Sequence, residues 1–217
     1  MMAPLVRTSN VEVGRLPLPG ILAIPEDPRG LVIFAHGSGS SRLSPRNALA
    51  ATRHHAANFA TLLFDLLTYG ESADRRNVFD IPLLAIRMGE AISWTSTERQ
   101  VSKLPVGLFG ASTGAAAALA AAAARPDEVA AVVSRGGRPD LAADALAYVR
   151  APTLLIVGSE DHDVLLLNRE ARDRMRCQTD LLIIPGAGHL FEEPGTLDRA
   201  LVGAVNWFTS HLAGEPR

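Results

Sequence analysis

The 217-residue chain carries 21 basic and 23 acidic side chains, for a formal net charge of -2. That balance gives no broad electrostatic reason to bind nucleic acid or an anionic membrane surface. The single cysteine, Cys177, excludes an internal disulfide, no stretch is long and apolar enough to span a bilayer, and residues 1–10 lack the apolar run of a signal peptide, so a cytoplasmic location is expected.

Apolar runs then alternate with helical patterns along the chain. Val11–Leu16 and Ile21–Ile24 read as a leading hairpin, with Pro17, Pro19 and Gly20 in its turn. Leu31–Ala35 is a buried strand ending in His36-Gly37-Ser38-Gly39. Ser44-Pro45 opens a helix to about Ala60, because proline fits a first turn. Thr61–Leu67 is the next strand and Asp80–Thr97 the next helix, with too few residues from Gly70 to Asp80 for a lid domain. Pro105–Phe109 reads as a short strand, and the nearly pure alanine of Ala115–Ala124 as a helix. Strand Ala130–Ser134, helix Pro139–Tyr148, strand Thr153–Val157, helix Val164–Arg176, strand Asp180–Ile184 and helix Thr196–Leu212 complete the series. The expectation is one α/β domain over residues 1–217, with a mostly parallel sheet, an N-terminal antiparallel hairpin and helices on both faces.

Between the Pro105–Phe109 strand and the alanine helix lies Gly110-Ala111-Ser112-Thr113-Gly114, a G-x-S-x-G pentapeptide. On a sharp strand-to-helix turn the serine hydroxyl projects out of the sheet, and a β-carbon at either glycine would clash as the chain reverses. Ligands in such sheets bind beyond the carboxyl ends of the strands. Two further segments fall at those ends, Val157-Gly158-Ser159-Glu160-Asp161 and Pro185-Gly186-Ala187-Gly188-His189. The chain order is therefore Ser112, Asp161, His189. Such a trio has a chemical logic: the imidazole takes the serine proton, and the carboxylate fixes the imidazole tautomer and stabilises its charge. Oxyanion donors are expected from the N–H groups of Thr113 and Ser38.

The sequence resembles the α/β-hydrolase superfamily and, within it, the dienelactone hydrolase-like proteins. The similarity rests on His36–Arg42 with Ser44–Asn47, Asp65–Thr68, the pentapeptide, Ser134–Asp140 and Pro185–Phe191, and runs from about Val11 to Leu212. It implies the α/β-hydrolase fold and an ester-hydrolase activity. Dienelactone hydrolase proper has a cysteine nucleophile, where this chain has Ser112.

Glu160 and Asp163 compete with Asp161 for the acidic role, and position three after Gly158 favours Asp161. His36 and Asp65 read as loop-bracing residues, His54, His55 and His211 as surface or packing residues, and Cys177 as packing. Arginines 42, 46, 75, 76, 135 and 138 all follow strands and so gather on the rim. Arg135 and Arg138 are candidates for holding an anionic substrate, such as an ester bearing a carboxylate, against the alternative that Arg138 pairs locally with Asp140. The expected protein is a serine hydrolase of small carboxylic esters or lactones, without metal or cofactor. Thioester or amide hydrolysis, acyl transfer and a non-catalytic binding module remain as alternatives.

Overall fold

The computed structural model describes residues 5–212. It opens on an antiparallel hairpin, β1 (Val6–Val13) and β2 (Leu18–Pro25). The hairpin turn lies at residues 14–17, so Pro19 and Gly20 belong to β2 rather than to the turn. Gly14 makes the reversal at φ +82°, where a side chain would be strained. β1 starts five residues earlier than the apolar pattern predicts, because most of this edge strand is exposed and carries polar residues. The expectation for residues 1–10 as a whole falls partly outside the described residues.

β3 (Gly30–Ala35) is buried at every residue. The helix that follows, α1 (Pro45–Ala56), starts on Ser44, whose Oγ accepts the Asn47 N–H. It ends four residues short of the expected Ala60. Asn58 turns the chain at φ +60°, and Phe59 and Ala60 open β4 (Phe59–Phe64). Two short helices follow that the sequence reading did not expect, α2 (Tyr69–Ser72) and α3 (Arg75–Val78). Thr68 and Glu71 form a reciprocal capping box on α2, and Asp74 caps α3. Then come α4 (Ile81–Thr97), β5 (Val106–Ala111), α5 (Thr113–Ala124) and β6 (Ala131–Arg135). Pro139–Tyr148, expected as an α-helix, forms tight 3-10 turns broken at Ala143, which sits at φ +48°. The remainder is β7 (Thr153–Gly158), α6 (His162–Arg174), β8 (Thr179–Ile184) and α7 (Thr196–His211).

The eight strands make one sheet in the order β1-β2-β4-β3-β5-β6-β7-β8. β1, β2 and β4 pair antiparallel, and every pairing from β4 through β3 to β8 is parallel. Because strand residues alternate between faces, Leu31 and Ile33 enter one core and Val32 and Phe34 the other. α4, α5 and the 3-10 segment cover the first face, and α1 and α7 the second. α5 shows no apolar stripe because it is buried nearly all round, and its alanines let neighbouring backbone approach closely. Among the described residues, no helix is long and apolar enough to cross a membrane. The parallel arrangement carries the carboxyl ends of β3 to β8 to one edge of the sheet, where the segments singled out above converge.

Candidate active site

Ser112 stands between the last residue of β5 and the first of α5, at φ +52° and ψ -122°. Few non-glycine residues adopt that backbone, and it costs about 1–3 kcal/mol where surrounding structure imposes it. The flanking glycines show what imposes it. A β-carbon at Gly110 would lie 2.4 Å from Ala115 Cα, and one at Gly114 would lie 2.2 Å from the Ala35 carbonyl oxygen. The turn is therefore pinned between helix and neighbouring strand. The loop after β6 is stitched to it: Ser112 N–H donates to the Arg135 carbonyl at 3.4 Å, and Arg138 N–H donates to the Ser112 carbonyl at 3.1 Å.

Asp161 and His189 come from the ends of β7 and β8. Their two loops are pressed together, since a β-carbon at Gly158 would fall 2.1 Å from the Ala187 carbonyl oxygen. Ser159 and Glu160 N–H groups donate to Ile184 and Ala187 carbonyls at 3.0 Å each, and Gly186 N–H donates to Ser159 Oγ at 2.8 Å. With the loops so joined, His189 Nδ1 lies 2.7 Å from Asp161 Oδ2. The competing acids are elsewhere: Glu160 accepts the Ser159 hydroxyl at 2.8 Å, and Asp163 is exposed in the first turn of α6. His189 lies over the end of β6, with its carbonyl 3.0 Å and its Cε1 3.9 Å from where a Gly136 β-carbon would be. Gly136 adjoins Arg135, whose carbonyl accepts the Ser112 N–H, so Ser112 and His189 share one neighbourhood. Ser112 Oγ and His189 Nε2 form no hydrogen bond here. In ligand-free sites such contacts are commonly long and tighten around the substrate.

A cleft of about 740 Å³ opens beside the turn, with Ser38 and Thr113 in its wall. Neither of their N–H groups donates to a protein acceptor among the described residues, which leaves both free to meet an oxyanion. His36 braces this wall: its Nε2 accepts the Leu66 N–H at 3.1 Å, and burial pushes its pKa down, so the ring stays neutral. Asp65 holds the same loop through the Arg42 N–H at 2.7 Å and the Arg42 guanidinium. The apolar side of the cleft is built by Leu67, Tyr69, Val78 and Phe79, around the two short helices. Sequence reading passed over these four, although the T-x-x-E spacing of Thr68 and Glu71 is a helix-start signal that marks α2.

The rim arginines divide sharply. Arg138 is bidentate to Asp140, at 2.8 and 2.7 Å. Arg46 pairs with Glu192 at 2.6 Å, Arg76 pairs with Asp74, and Arg75 lies over the Phe79 ring. Arg135 is only 9% exposed, lies 5.8 Å from the Phe191 ring centroid, and has no hydrogen-bond or ion-pair partner among the described residues. Burial, with the Arg46 charge adding to it, pushes its pKa down to about 10, so it remains cationic at neutral pH.

The model of the dienelactone hydrolase family matches residues 18–200. The chain belongs to the dienelactone hydrolase family. A crystal structure of dienelactone hydrolase from Anabaena variabilis is 50% identical, with a TM-score of 0.92 over 97% of this chain and 100% of that one. The Pyrococcus furiosus esterase Pf2001, at 14% identity and a TM-score of 0.77 over 96% of this chain and 94% of that one, shares the fold. A curated Mycobacterium tuberculosis protein described as a phosphoribosyl transferase is 55% identical over 97% of this chain. The match covers 48% of that protein, so the chain spans about half the length of these curated relatives.

Proposed function

We propose that this dienelactone hydrolase family member is a serine hydrolase of small carboxylic esters or lactones. The observation that carries the reading is the His189–Asp161 pair, 2.7 Å apart, set over the strand end whose carbonyl holds the Ser112 N–H. Ser112 Oγ attacks the acyl carbon while His189 Nε2 takes its proton. Asp161 accepts the Nδ1–H, which fixes the tautomer and stabilises the imidazolium as it forms. The Thr113 and Ser38 N–H groups receive the negative charge on the acyl oxygen. His189 then returns the proton to the leaving alcohol, leaving an acyl-Ser112 ester. A water deprotonated by His189 attacks that ester and releases the acid and the free serine.

The cleft along Leu67, Tyr69 and Phe79 suits a small apolar or aromatic substituent, and Arg135 is the cation left to meet an anionic one. The transferase name belongs to a protein about twice this length. A fluorophosphonate probe, followed by a panel of p-nitrophenyl esters, lactones, thioesters and amides, tests the proposal. Labelling at Ser112 with ester turnover is the expected result; a folded protein that neither labels nor hydrolyses is a non-catalytic binding module.

A further inference from the structure

Among the described residues, six arginines are buried or partly buried: Arg42, Arg46, Arg87, Arg125, Arg135 and Arg138. Five of them have an acidic partner, namely Asp65, Glu192, Glu71 with Glu90, Glu128 and Asp140 respectively. Arg135, the most buried of the six, has none among the described residues, and its Nε is shut away from solvent without a partner. An uncompensated guanidinium of this kind is costly to bury, and the Phe191 face offsets only part of that cost. Arg46, in the first turn of α1, reaches the same neighbourhood, because it pairs at 2.6 Å with Glu192, the residue after the Phe191 whose ring lies against Arg135. Its own partner, Glu192, is 66% exposed and can be released to water at little cost. Two guanidinium groups thus share a neighbourhood in which Glu192, held by Arg46 alone, is the loosely held carboxylate.

We propose that Arg135 and Arg46 form a phosphate-binding site at the carboxyl edge of the sheet, and that it receives a phosphate monoester carried by the substrate. The second half of this statement rests on the hydrolase reading; the first does not. Two planar forks match the several oxygens and double charge of a phosphate monoester, whereas a carboxylate balances only one of them. The site is beside the chemistry. Arg135 supplies the carbonyl that holds Ser112 N–H, and Phe191, against which its guanidinium lies, is two residues from His189. Arg138, tied to Asp140, takes no part.

The test is calorimetric titration of the full chain with inorganic phosphate and with acetate at matched ionic strength. Phosphate should bind at least about tenfold more tightly than acetate. Arg135→Gln should abolish the binding, and Arg46→Gln, at a half-exposed position where folding is not at stake, should weaken it about tenfold. Kinetics on a matched pair, one ester with a phosphorylated alcohol and one with the neutral alcohol, then reads the substrate role. Arg46→Gln should lose about tenfold more kcat/KM on the phosphorylated member. Absence of phosphate binding overturns the site even if neutral esters are hydrolysed. Equal binding of acetate, or binding untouched in both variants, overturns it as well. Phosphate binding that depends on Arg135, in a protein that hydrolyses no ester, keeps the site and overturns the substrate role together with the hydrolase reading.

Discussion

Replacing Gly158 with alanine tests how His189 and Asp161, the base and acid of the proposed reaction, are held. Gly158 ends β7, and the loop carrying His189 passes directly against it. An added β-carbon would meet the Ala187 carbonyl oxygen at 2.1 Å and its carbon at 2.6 Å. Both are backbone atoms, so relief requires the two loops to separate by roughly 1 Å, rather than a rotamer change. That separation acts directly on a His189–Asp161 contact of 2.7 Å. A displacement of this size in a catalytic group costs about a hundredfold in rate. Overpacking of a tight backbone contact should cost about 1–3 kcal/mol in stability. The assay is kcat/KM on a short p-nitrophenyl ester, alongside thermal unfolding and the downfield proton resonance of the His189 Nδ1–H. Gly186→Ala is the control: at φ +71° it is strained, but its β-carbon would meet nothing within 4 Å. It should lower Tm and largely spare turnover. If Gly158→Ala keeps kcat/KM within about threefold of wild type with the downfield resonance intact, the close approach of the two loops does not position the base.

Ser112→Ala should remove ester turnover by about a million-fold while retaining the thermal unfolding of the wild type, read by kinetics and calorimetry. Ser112→Gly should be equally inactive yet unfold at a higher temperature, because glycine relieves the φ +52° strain; an unchanged or lower Tm would show that the turn is not strained. His54 is fully buried among Phe34, Phe59, Phe109 and Phe208, and burial pushes its pKa down to about 4. The unfolded chain binds the His54 proton near pH 6.5 and the folded chain only near 4, so stability is full above the first value and falls by about 3 kcal/mol as pH drops through the second. Chemical denaturation of His54→Leu from pH 7 to pH 4 should show a shallower loss than wild type; parallel curves would rule out His54 as the titrating group. Arg138→Ala should lower turnover of anionic and neutral esters by the same factor, because its guanidinium is held by Asp140; a loss confined to the anionic ester would return it to the binding site.

Local chemistry settled much of this molecule in advance. Gly110 and Gly114 bracket Ser112 because no β-carbon fits there, a constraint that short-range sterics writes directly into five consecutive residues. The alternation of apolar runs with helical patterns likewise required a parallel sheet with both faces covered, and therefore placed the strand ends at one edge. Legibility failed where burial was not local. β1 carries too few buried residues to show a pattern, and the break at Ala143 has no signature in an alanine-rich segment. The cleft wall was missed because α2 and α3 are four residues each, too short for periodicity, although their caps were present in the sequence.

The sequence by itself determined the turn that presents Ser112, since that turn depends on five consecutive residues, whereas Asp161 and His189, 28 positions apart, meet only because the loops after β7 and β8 press together. Only the tertiary structure decided which rim charges are spent. Arg138 and Asp140 are two positions apart and pair with each other, whereas Arg46 and Glu192 meet across 146 positions, and Arg135 is buried without an acid among the described residues. A charge is free or neutralised according to what the fold brings within about 4 Å of it, and that distance is set by packing between elements remote in the chain.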